Sequence, residues 1–217
     1  MRQFPGDQNE AKAAAYLRTW PAVVRHFRLR GTLPMERRFP APSLSSGEAF
    51  VALDRLLDQA SSGPCFLRQP DVAGEVLASI EYGAQRGDYE LHAWVIMPNH
   101  VHLLITPRVN VSKALGSLKA GSAKSANLLL GRAGQTFWQD ESYDHFVRND
   151  EELRRIQRYI ENNPVTAGLV SKAEDYVWSS AGRPVRPPQA APAPRYDHLV
   201  EMTKSSDAYS ATSKIIR

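Results

Sequence analysis

The amino-acid sequence predicts one domain in which β-strands and α-helices are mixed. Two apolar segments within residues 91–107, interrupted once at residues 97–99, are typical of two strands folded back as a hairpin. Segments with apolar residues at helical spacing lie on both sides of this hairpin. At 217 residues the chain is long enough for a domain of roughly 150 residues with peripheral segments. We therefore expect a loosely ordered arm (1–21), a folded domain (22–182) and a tail (183–217).

The folded domain begins with a predicted strand. Residues 22–31 alternate in character, and successive side chains of a strand lie on opposite faces. Phe27 and Leu29 make one face apolar. The other face is basic and consists of His26, Arg28 and Arg30. This basic face is either a solvated edge of a sheet or a surface on which Arg28 and Arg30 contact phosphates.

Two helices are predicted between this strand and the hairpin. The first spans residues 47–60, and its apolar stripe consists of Phe50, Leu53, Leu56 and Leu57. The second spans residues 70–86, starts at Pro70 and ends before Gly87. Its apolar stripe consists of Val72, Val76, Leu77 and Ile80.

The hairpin that follows places two histidines on one face. Because side chains alternate along a strand, His100 and His102 lie together, while Val101 and Leu103 point into a core on the other side. Paired imidazoles on a rigid strand indicate a metal site. The alternative is a pair of core histidines that have found hydrogen-bond partners, and residues elsewhere in the chain must decide between the two.

The region after the hairpin is basic and lacks acidic residues. Residues 108–139 contain no Asp or Glu and five basic residues: Arg108, Lys113, Lys119, Lys124 and Arg132. Ser112 can cap a helix that runs to about residue 130, on which Lys113 and Lys124 return to nearly the same face. Lysines of this kind are typical of a solvated helix face. The absence of carboxylates nevertheless favours phosphate binding by Lys113, Lys119 and Lys124.

Aromatic residues and a further strand come next. Trp138 is either a core aromatic or a platform on which a nucleic-acid base stacks. Residues 143–148 then alternate as expected for a strand.

The last predicted helix has the clearest signals. Asn149 can cap its start, and acidic residues follow at the positive end of the helix dipole. Its buried stripe consists of Leu153, Ile156 and Ile160. Pro164 is expected to end the helix, and Tyr159 lies at the border of the stripe. Three arginines of this helix are candidates for contact with DNA: Arg154, Arg155 and Arg158.

Four side chains can be placed together at one site: His100, His102, Tyr159 and Asn163. Tyr159 and Asn163 are four residues apart, so both can face one site from a helix. Asn162 is the rival of Asn163, which precedes a proline and is therefore biased away from helical dihedrals. Two imidazoles and an amide oxygen would leave positions on a divalent ion open for phosphate oxygens.

This constellation predicts the cleavage of a phosphodiester. The metal ion would polarise the scissile phosphate, while the Tyr159 phenol attacks in line and forms a covalent phosphotyrosine. Tyr159 is mostly neutral at pH 7 and needs activation by the metal, by a bound water or by nearby cations such as Arg155 and Arg158. Because phosphate prefers hard cations, Mg²⁺ and Mn²⁺ are favoured over zinc. Taken alone, Tyr159 is more simply explained as a core aromatic with a solvated hydroxyl.

Four segments of the sequence resemble a known family. MPNHVHLLI, FWQDESYDHFVRNDEEL, YIENNPVTAGLV and DYVWSS, in this order, are similar to the single-tyrosine HUH transposases. The similarity is greatest to the branch associated with repetitive extragenic palindromes (REP), and it covers approximately residues 23–180. It implies an α+β, ferredoxin-like domain with an antiparallel sheet between helices.

The resemblance also implies an activity and roles for individual residues. His100, His102 and Asn163 match the ligands of a divalent metal, and Tyr159 matches the nucleophile. The implied reaction is cleavage of single-stranded DNA beside an imperfect hairpin, which leaves a 5′-phosphotyrosine and a free 3′-hydroxyl. Reversal of that step rejoins strands.

Two functions from other classes compete with this one. A domesticated protein could bind hairpin DNA without recombining it, although intact ligands and nucleophile argue against that role. A histidine-triad-like nucleotide hydrolase would require a third histidine at the next same-face position, which Leu104 occupies.

Composition favours a soluble intracellular protein, and the resemblance implies a bacterial protein of the cytoplasm that is associated with the nucleoid. The net charge is +4, Cys65 is the only cysteine, and no uncharged run is long enough to span a bilayer. Five prolines between residues 184 and 194 predict a disordered tail. The expected partner is single-stranded hairpin DNA rather than a membrane, and monomer and homodimer are both open.

Overall fold

The computed structural model describes residues 22–32, 52, 54–58, 63–140 and 143–183. The predicted arm, most of the helix predicted at 47–60 and nearly all of the predicted tail lie outside the described residues. The strands are β1 (Val23–Arg28), β2 (Tyr89–Ile96), β3 (His100–Pro107) and β4 (Tyr143–Phe146). The helices are α1 (Pro70–Gln85), α2 (Val111–Leu129) and α3 (Asp150–Thr166), and residues 54–58 form a further helical segment. Among these described helices, none is long and apolar enough to cross a membrane.

The four strands form one antiparallel sheet in the order β2-β3-β1-β4. The predicted hairpin is present as β2 and β3, which are joined by a short turn. Helix α1 precedes β2 and helix α2 connects β3 to β4, which gives the β1-α-β2-β3-α-β4 arrangement of a ferredoxin-like fold. The expected fold class, an α+β domain with a ferredoxin-like antiparallel sheet, is therefore confirmed.

The two faces of the sheet pack against different helices. Helices α1 and α2 cover one face, where the core includes Phe27, Leu103 and the predicted α1 stripe of Val72, Val76, Leu77 and Ile80. Helix α3 covers the other face through a smaller core that includes Val24, Leu104 and Ile160. We call these the α1/α2 face and the α3 face. Each strand sends alternate side chains to the two faces, so β1 directs Phe27 to the first and His26 to the second.

Strand β1 lies in the interior of the sheet, which decides between the two interpretations of its basic residues. It pairs with β3 on one side and with β4 on the other. Arg28 is only 5% exposed, whereas Arg30, just beyond the strand, is exposed. The interpretation of this strand as a solvated edge is therefore wrong, and Arg28 does not lie on an open surface.

Helix α2 begins earlier than the sequence predicts. The Asn110 side chain caps it by accepting a hydrogen bond from the Lys113 amide at 3.1 Å. Ser112 lies inside the helix and is not the cap. Both residues are good capping residues, so local preference did not distinguish them.

Helix α3 begins at the predicted cap but ends later than predicted. The Asn149 side chain accepts a hydrogen bond from the Glu152 amide at 2.8 Å. The helix continues through Pro164 to Thr166, so the expectation that Pro164 ends it is wrong. A proline in the last turn removes only one hydrogen bond near the point where the helix stops. Gly168, with a φ of 72°, takes the left-handed conformation that often follows a helix end.

Candidate functional site

Three histidines lie side by side on the α3 face of the sheet. His100 and His102 are on β3, and His26 on β1 is directly opposite His102 in the strand register. Their ring centroids are 4.8 to 5.1 Å apart. His26 is 3% exposed, and His100 and His102 are fully buried. The two predicted histidines therefore share a face, and a third that was not predicted joins them.

A buried carboxylate meets these histidines from the helical segment 54–58. Oδ1 of Asp54 lies 3.1 Å from Nε2 of His100 and 2.9 Å from Nε2 of His102. Asp54 itself is 2% exposed. Single ligand atoms of His26, Asp54, His100 and His102 all lie within 4.8 Å of one another, a spacing that allows them to surround one ion.

Helix α3 brings Tyr159 and Asn163 to the same carboxylate. The Tyr159 hydroxyl donates a hydrogen bond to Oδ2 of Asp54, and Nδ2 of Asn163 donates to the same oxygen at 2.6 Å. Nδ2 of Asn163 also lies 3.5 Å from Nε2 of His102. Asn162 is exposed, and its amide lies near Thr166 instead. Of the two asparagines left open by the sequence, Asn163 is the one at the site.

Asn99, in the hairpin turn, fixes the orientation of His100. Nδ2 of Asn99 donates a hydrogen bond to the carbonyl of Leu57 at 2.9 Å, which turns Oδ1 toward Nδ1 of His100 at 2.6 Å. An amide oxygen only accepts hydrogen bonds, so Nδ1 of His100 carries the proton. When the ring is neutral, its Nε2 lone pair faces Asp54. Metal-bound histidines are usually held in this way, with the second ring nitrogen bonded to an outer partner.

The protonation states of the cluster follow from burial and from the neighbouring groups. Burial alone raises the pKa of Asp54, but the adjacent imidazoles of His102 and His100 outweigh burial and hold this pKa well below its ordinary range. Burial lowers the pKa of His26 and of His100 below the usual value for histidine. Burial and the charge of Asp54 raise the pKa of Tyr159. Ionised carboxylate and neutral imidazole are the forms of these groups that bind metals.

The donor set fits a divalent metal ion. It offers imidazole nitrogens, a carboxylate and an amide, and this mixture of ligands suits Mn²⁺ and, through its oxygens, Mg²⁺. Oδ1 of Asn163 is buried and has no hydrogen-bond partner among the described residues. A buried acceptor without a donor is costly, and a half-turn of the amide would bring Oδ1 to a cation bound in the cluster.

Six of the predicted DNA-contacting residues are accessible and lie on two sides of the molecule. Arg154, Arg155 and Arg158 are exposed on α3, the helix that carries Tyr159. Lys113 and Lys124 are exposed on α2, which covers the opposite face of the sheet. Arg30 is exposed next to the end of β1. The α2 lysines and the α3 arginines therefore belong to different layers.

The other three predicted DNA-contacting residues, Arg28, Lys119 and Trp138, are partly or fully buried. Lys119 donates a hydrogen bond from Nζ to the carbonyl of Gln139 at 2.7 Å, and burial lowers its pKa. Trp138 is 4% exposed and donates a hydrogen bond from Nε1 to Oγ of Ser122 at 3.0 Å. It is thus a core aromatic, the first of its two interpretations, and its ring is not available to stack on a base.

Two residues of the cluster, Asp54 and His26, were not predicted as site residues. Asp54 lies three residues before Leu57 on a predicted apolar stripe, where an unpaired acidic residue is rarely buried. An acidic residue at such a position therefore indicates a buried carboxylate that has partners, and the sequence could have been used to identify Asp54. His26 was assigned to the basic face of β1, and its proximity to His102 depends on strand pairing that the sequence alone does not specify.

Comparisons with known proteins find similarity to transposases. The family described as "Transposase IS200 like" matches residues 66–163, which include His100, His102, Tyr159 and Asn163. The chain is 29% identical to the REP-associated tyrosine transposase of Escherichia coli (strain K12) over 100 residues. This alignment covers 45% of the chain and 57% of that relative, so the chain matches little more than half of the relative's length.

A solved structure of a REP-associated tyrosine transposase bound to a REP hairpin is also similar. The alignment covers 90% of this chain and 95% of the chain in that structure, with 18% identity and a TM-score of 0.45. The family match and the Escherichia coli relative confirm the resemblance found in the sequence.

Proposed function

Because residues 66–163 match the IS200-like transposases, we propose that this protein cleaves and rejoins single-stranded DNA beside hairpins, as a transposase or site-specific nickase. The nucleophile is Tyr159, and the product of cleavage is a 5′-phosphotyrosine with a free 3′-hydroxyl. His100, His102 and Asn163 hold a divalent metal ion, Mg²⁺ or Mn²⁺. The family match and the Escherichia coli relative support the role in DNA transposition, and the site supports the chemistry.

One observation carries this proposal: the Tyr159 hydroxyl is joined to the buried histidine and carboxylate cluster. A core tyrosine with a solvated hydroxyl, the simpler alternative for this residue, would not require buried metal-type donors around its oxygen. Tyr159 is half-buried, whereas His100 and His102 are fully buried behind it. The phenol oxygen therefore lies between the protein surface, where a DNA strand can bind, and the buried cluster, where a metal ion can bind.

The proposed cleavage step is a transesterification at phosphorus. The Tyr159 oxygen forms a bond to the phosphorus atom, and the bond from phosphorus to the 3′ oxygen of the preceding nucleotide breaks. Tyr159 passes its proton to water as the new bond forms, and the departing 3′ oxygen takes up a proton from water. The phosphodiester is exchanged for a phosphotyrosine ester, so the reverse step rejoins strands without another energy source.

The residues around Tyr159 provide binding and orientation for this step. A bound divalent ion would act as a Lewis acid that stabilises charge on the phosphate oxygens. His100 is held in place by Asn99, so its Nε2 needs no rearrangement before a ligand arrives. The hydrogen bond to Asp54 restricts the Tyr159 ring to one side of α3.

Exposed arginines on α3 support binding of the strand that is cut. Arg155 is four residues before Tyr159 and so lies on the same side of the helix, and Arg158 is its direct neighbour. We propose that Arg154, Arg155 and Arg158 contact phosphates of that strand. Lys113 and Lys124 lie across the sheet, so any DNA bound there is a separate segment, for which the hairpin stem is the natural candidate.

A single chain supplies Tyr159 and every side chain of the cluster. We therefore propose that one protomer suffices for cleavage and that a partner is not required to complete the site. Chains that exchanged their α3 helices would instead join Tyr159 of one protomer to the histidines of another.

The test is an adduct assay with purified protein and labelled single-stranded hairpins drawn from DNA that flanks its own gene. With Mn²⁺ or Mg²⁺, a denaturing gel should reveal a covalent protein–DNA adduct. Tyr159→Phe should lose the adduct and keep DNA binding, whereas Tyr82→Phe, on the exposed side of α1, should behave as the parent. Tight hairpin binding without any adduct would favour the domesticated binding protein. An adduct that survives in Tyr159→Phe would assign the nucleophile to another residue.

A further inference from the structure

Asp54 lies at the centre of the buried cluster, although the residues matched by the family do not include it. It lies on the helical segment 54–58, before the matched residues 66–163 and apart from the strand that carries His100 and His102. We propose that Asp54 is a further ligand of the metal ion, bound through Oδ1. This inference rests on the proposed metal-assisted function and adds a carboxylate to a ligand set predicted as two imidazoles and one amide.

The first argument is the spacing of the ligand atoms. Adjacent ligands of an octahedral ion with bonds of 2.0 to 2.1 Å are about 3 Å apart. Oδ1 of Asp54 is 3.1 Å from Nε2 of His100 and 2.9 Å from Nε2 of His102. Oδ1 of Asp54 is therefore separated from each of the two imidazole nitrogens as a neighbouring ligand of one octahedral ion would be.

The second argument is the orientation of the ligand atoms. Nδ1 of His100 is hydrogen-bonded to Oδ1 of Asn99, so Nε2 is the ring nitrogen that faces the cluster. Oδ1 of Asp54 lies opposite that nitrogen at 3.1 Å. A divalent ion bound in the cluster would have both atoms as ligands, with Asn99 as the outer partner of His100.

The third argument concerns the second oxygen of Asp54. Oδ2 accepts hydrogen bonds from the Tyr159 hydroxyl and from Nδ2 of Asn163, so its lone pairs are occupied. Oδ1 is the oxygen that remains for a metal. A monodentate carboxylate of this kind would bind the ion with one oxygen and hold the nucleophile with the other. Asp54 thereby links the predicted ligands on β3 to Tyr159 and Asn163 on α3.

Asn163 is compatible with this arrangement. Its Nδ2 lies 3.5 Å from Nε2 of His102, and its Oδ1 is buried without a hydrogen-bond partner among the described residues. The two atoms of an amide differ by a half-turn about the last side-chain bond. After that turn Oδ1 would lie beside Nε2 of His102, as a shared ligand position requires, and Oδ2 of Asp54 would keep the hydrogen bond from the Tyr159 hydroxyl alone.

The alternative is that Asp54 is only a buried counter-charge for protonated histidines. In that case the removal of Asp54 would weaken the fold but would leave the affinity for a metal ion unchanged or improved. Without the carboxylate the histidines would lose their protons more easily, and these protons compete with the metal for the imidazole nitrogens. Metal affinity therefore separates the two roles, and DNA cleavage is not needed as the readout.

The experiment is a calorimetric titration with Mn²⁺ in the Tyr159→Phe background, which excludes turnover. Asp54→Asn should lower the Mn²⁺ affinity at least about 10-fold, since even outer partners of a metal site are worth 10- to 100-fold. Asp71→Asn is the control. Asp71 is exposed in the first turn of α1 and is not one of the four clustered residues, so its replacement should change the affinity less than about 2-fold.

The possible outcomes separate this inference from the proposed function. If Asp54→Asn binds Mn²⁺ as tightly as its parent while His102→Ala does not bind it, Asp54 is not a ligand and the proposed function stands. If the parent itself does not bind Mn²⁺, both proposals fail. Should Asp54→Asn not fold, as judged by circular dichroism, Asp54→Glu serves instead. A shifted carboxylate should weaken Mn²⁺ binding, and unchanged affinity would overturn the assignment.

Discussion

The hydroxyl of Tyr159 donates a hydrogen bond to the carboxylate of Asp54, 105 residues earlier in the chain. The same carboxylate lies within 3.1 Å of His100 and His102 and accepts a hydrogen bond from Asn163. Three separate elements, the segment 54–58, strand β3 and helix α3, therefore meet at two oxygen atoms. A change at any of these side chains alters the surroundings of the others, so each variant below is compared with a matched neighbour.

The two consecutive asparagines of α3 should differ sharply in their effect. Asn163→Ala removes a buried polar group beside His102 and Asp54, and should lower Mn²⁺ affinity and adduct formation by about 10- to 100-fold. Asn162→Ala, at an exposed position, should change both by less than about 2-fold. Calorimetry and the gel assay measure the two effects. Equal losses of Mn²⁺ affinity and adduct formation in both variants would mean that either change disturbs the helix. Asn163 would then have no specific role in metal binding.

His102 should be required for stabilisation of the fold by metal. A ligand present at 100 times its dissociation constant stabilises the folded state by about 2.7 kcal/mol. We expect Mn²⁺ to raise the free energy of unfolding by that amount in the parent and in His92→Ala, and not in His102→Ala. His92 is a suitable control because it lies on the neighbouring strand, where it contacts Thr106 rather than the cluster. Stabilisation of His102→Ala equal to the parent would remove His102 from the ligand set.

Local patterns were sufficient to predict much of the fold. The helical spacing of apolar residues predicted α1 and its buried stripe, and the two apolar segments between residues 91 and 107 predicted the hairpin. Helix ends were less predictable. Ser112 and Asn110 are equally good capping residues, and Pro164 is tolerated because it falls in the last turn of α3. These errors arise because the rules for helix ends describe preferences, whereas packing decides the final residue.

Local patterns likewise predict part of the candidate site and miss the rest. His100 with His102, and Tyr159 with Asn163, are each close in sequence, so spacing alone places each pair on one face. Asp54 and His26 reach the site through packing and strand pairing between distant segments, which no local pattern records. Trp138 illustrates the converse problem. A tryptophan beside a basic segment looks the same in the sequence whether it stacks on a base or fills a core.

The core position of Trp138 makes a prediction about stability. Trp138→Ala should lower the free energy of unfolding by about 3 to 5 kcal/mol, because it leaves a cavity beside Phe27 and removes the hydrogen bond to Ser122. Phe146→Ala, at a side chain that is 62% exposed, should change it by less than about 0.5 kcal/mol. Urea unfolding measures both values. A stable Trp138→Ala protein that has lost affinity for single-stranded DNA would instead indicate a stacking platform.

The two basic surfaces on opposite layers should bind different parts of the DNA. Each phosphate contact contributes about 0.9 to the slope of log affinity against log salt for duplex DNA and about 0.7 for a single strand. Replacing Arg154 and Arg158 by Gln should therefore reduce the slope for an unpaired strand by about 1.4, because both lie on the helix that carries Tyr159. Replacing Lys113 and Lys124 by Gln should reduce the slope for a hairpin stem by about 1.8.

Each pair serves as the control for the other, since both remove two exposed charges from a helix surface. The lysine variant should bind an unstructured strand with the parental slope, because α2 lies across the sheet from Tyr159. Fluorescence anisotropy between 50 and 300 mM salt, with one hairpin and one unstructured oligonucleotide, gives all the slopes. An unchanged hairpin slope in the lysine variant would identify α2 as a solvated face. Equal reductions for both DNAs in both variants would mean that a single strand contacts both layers.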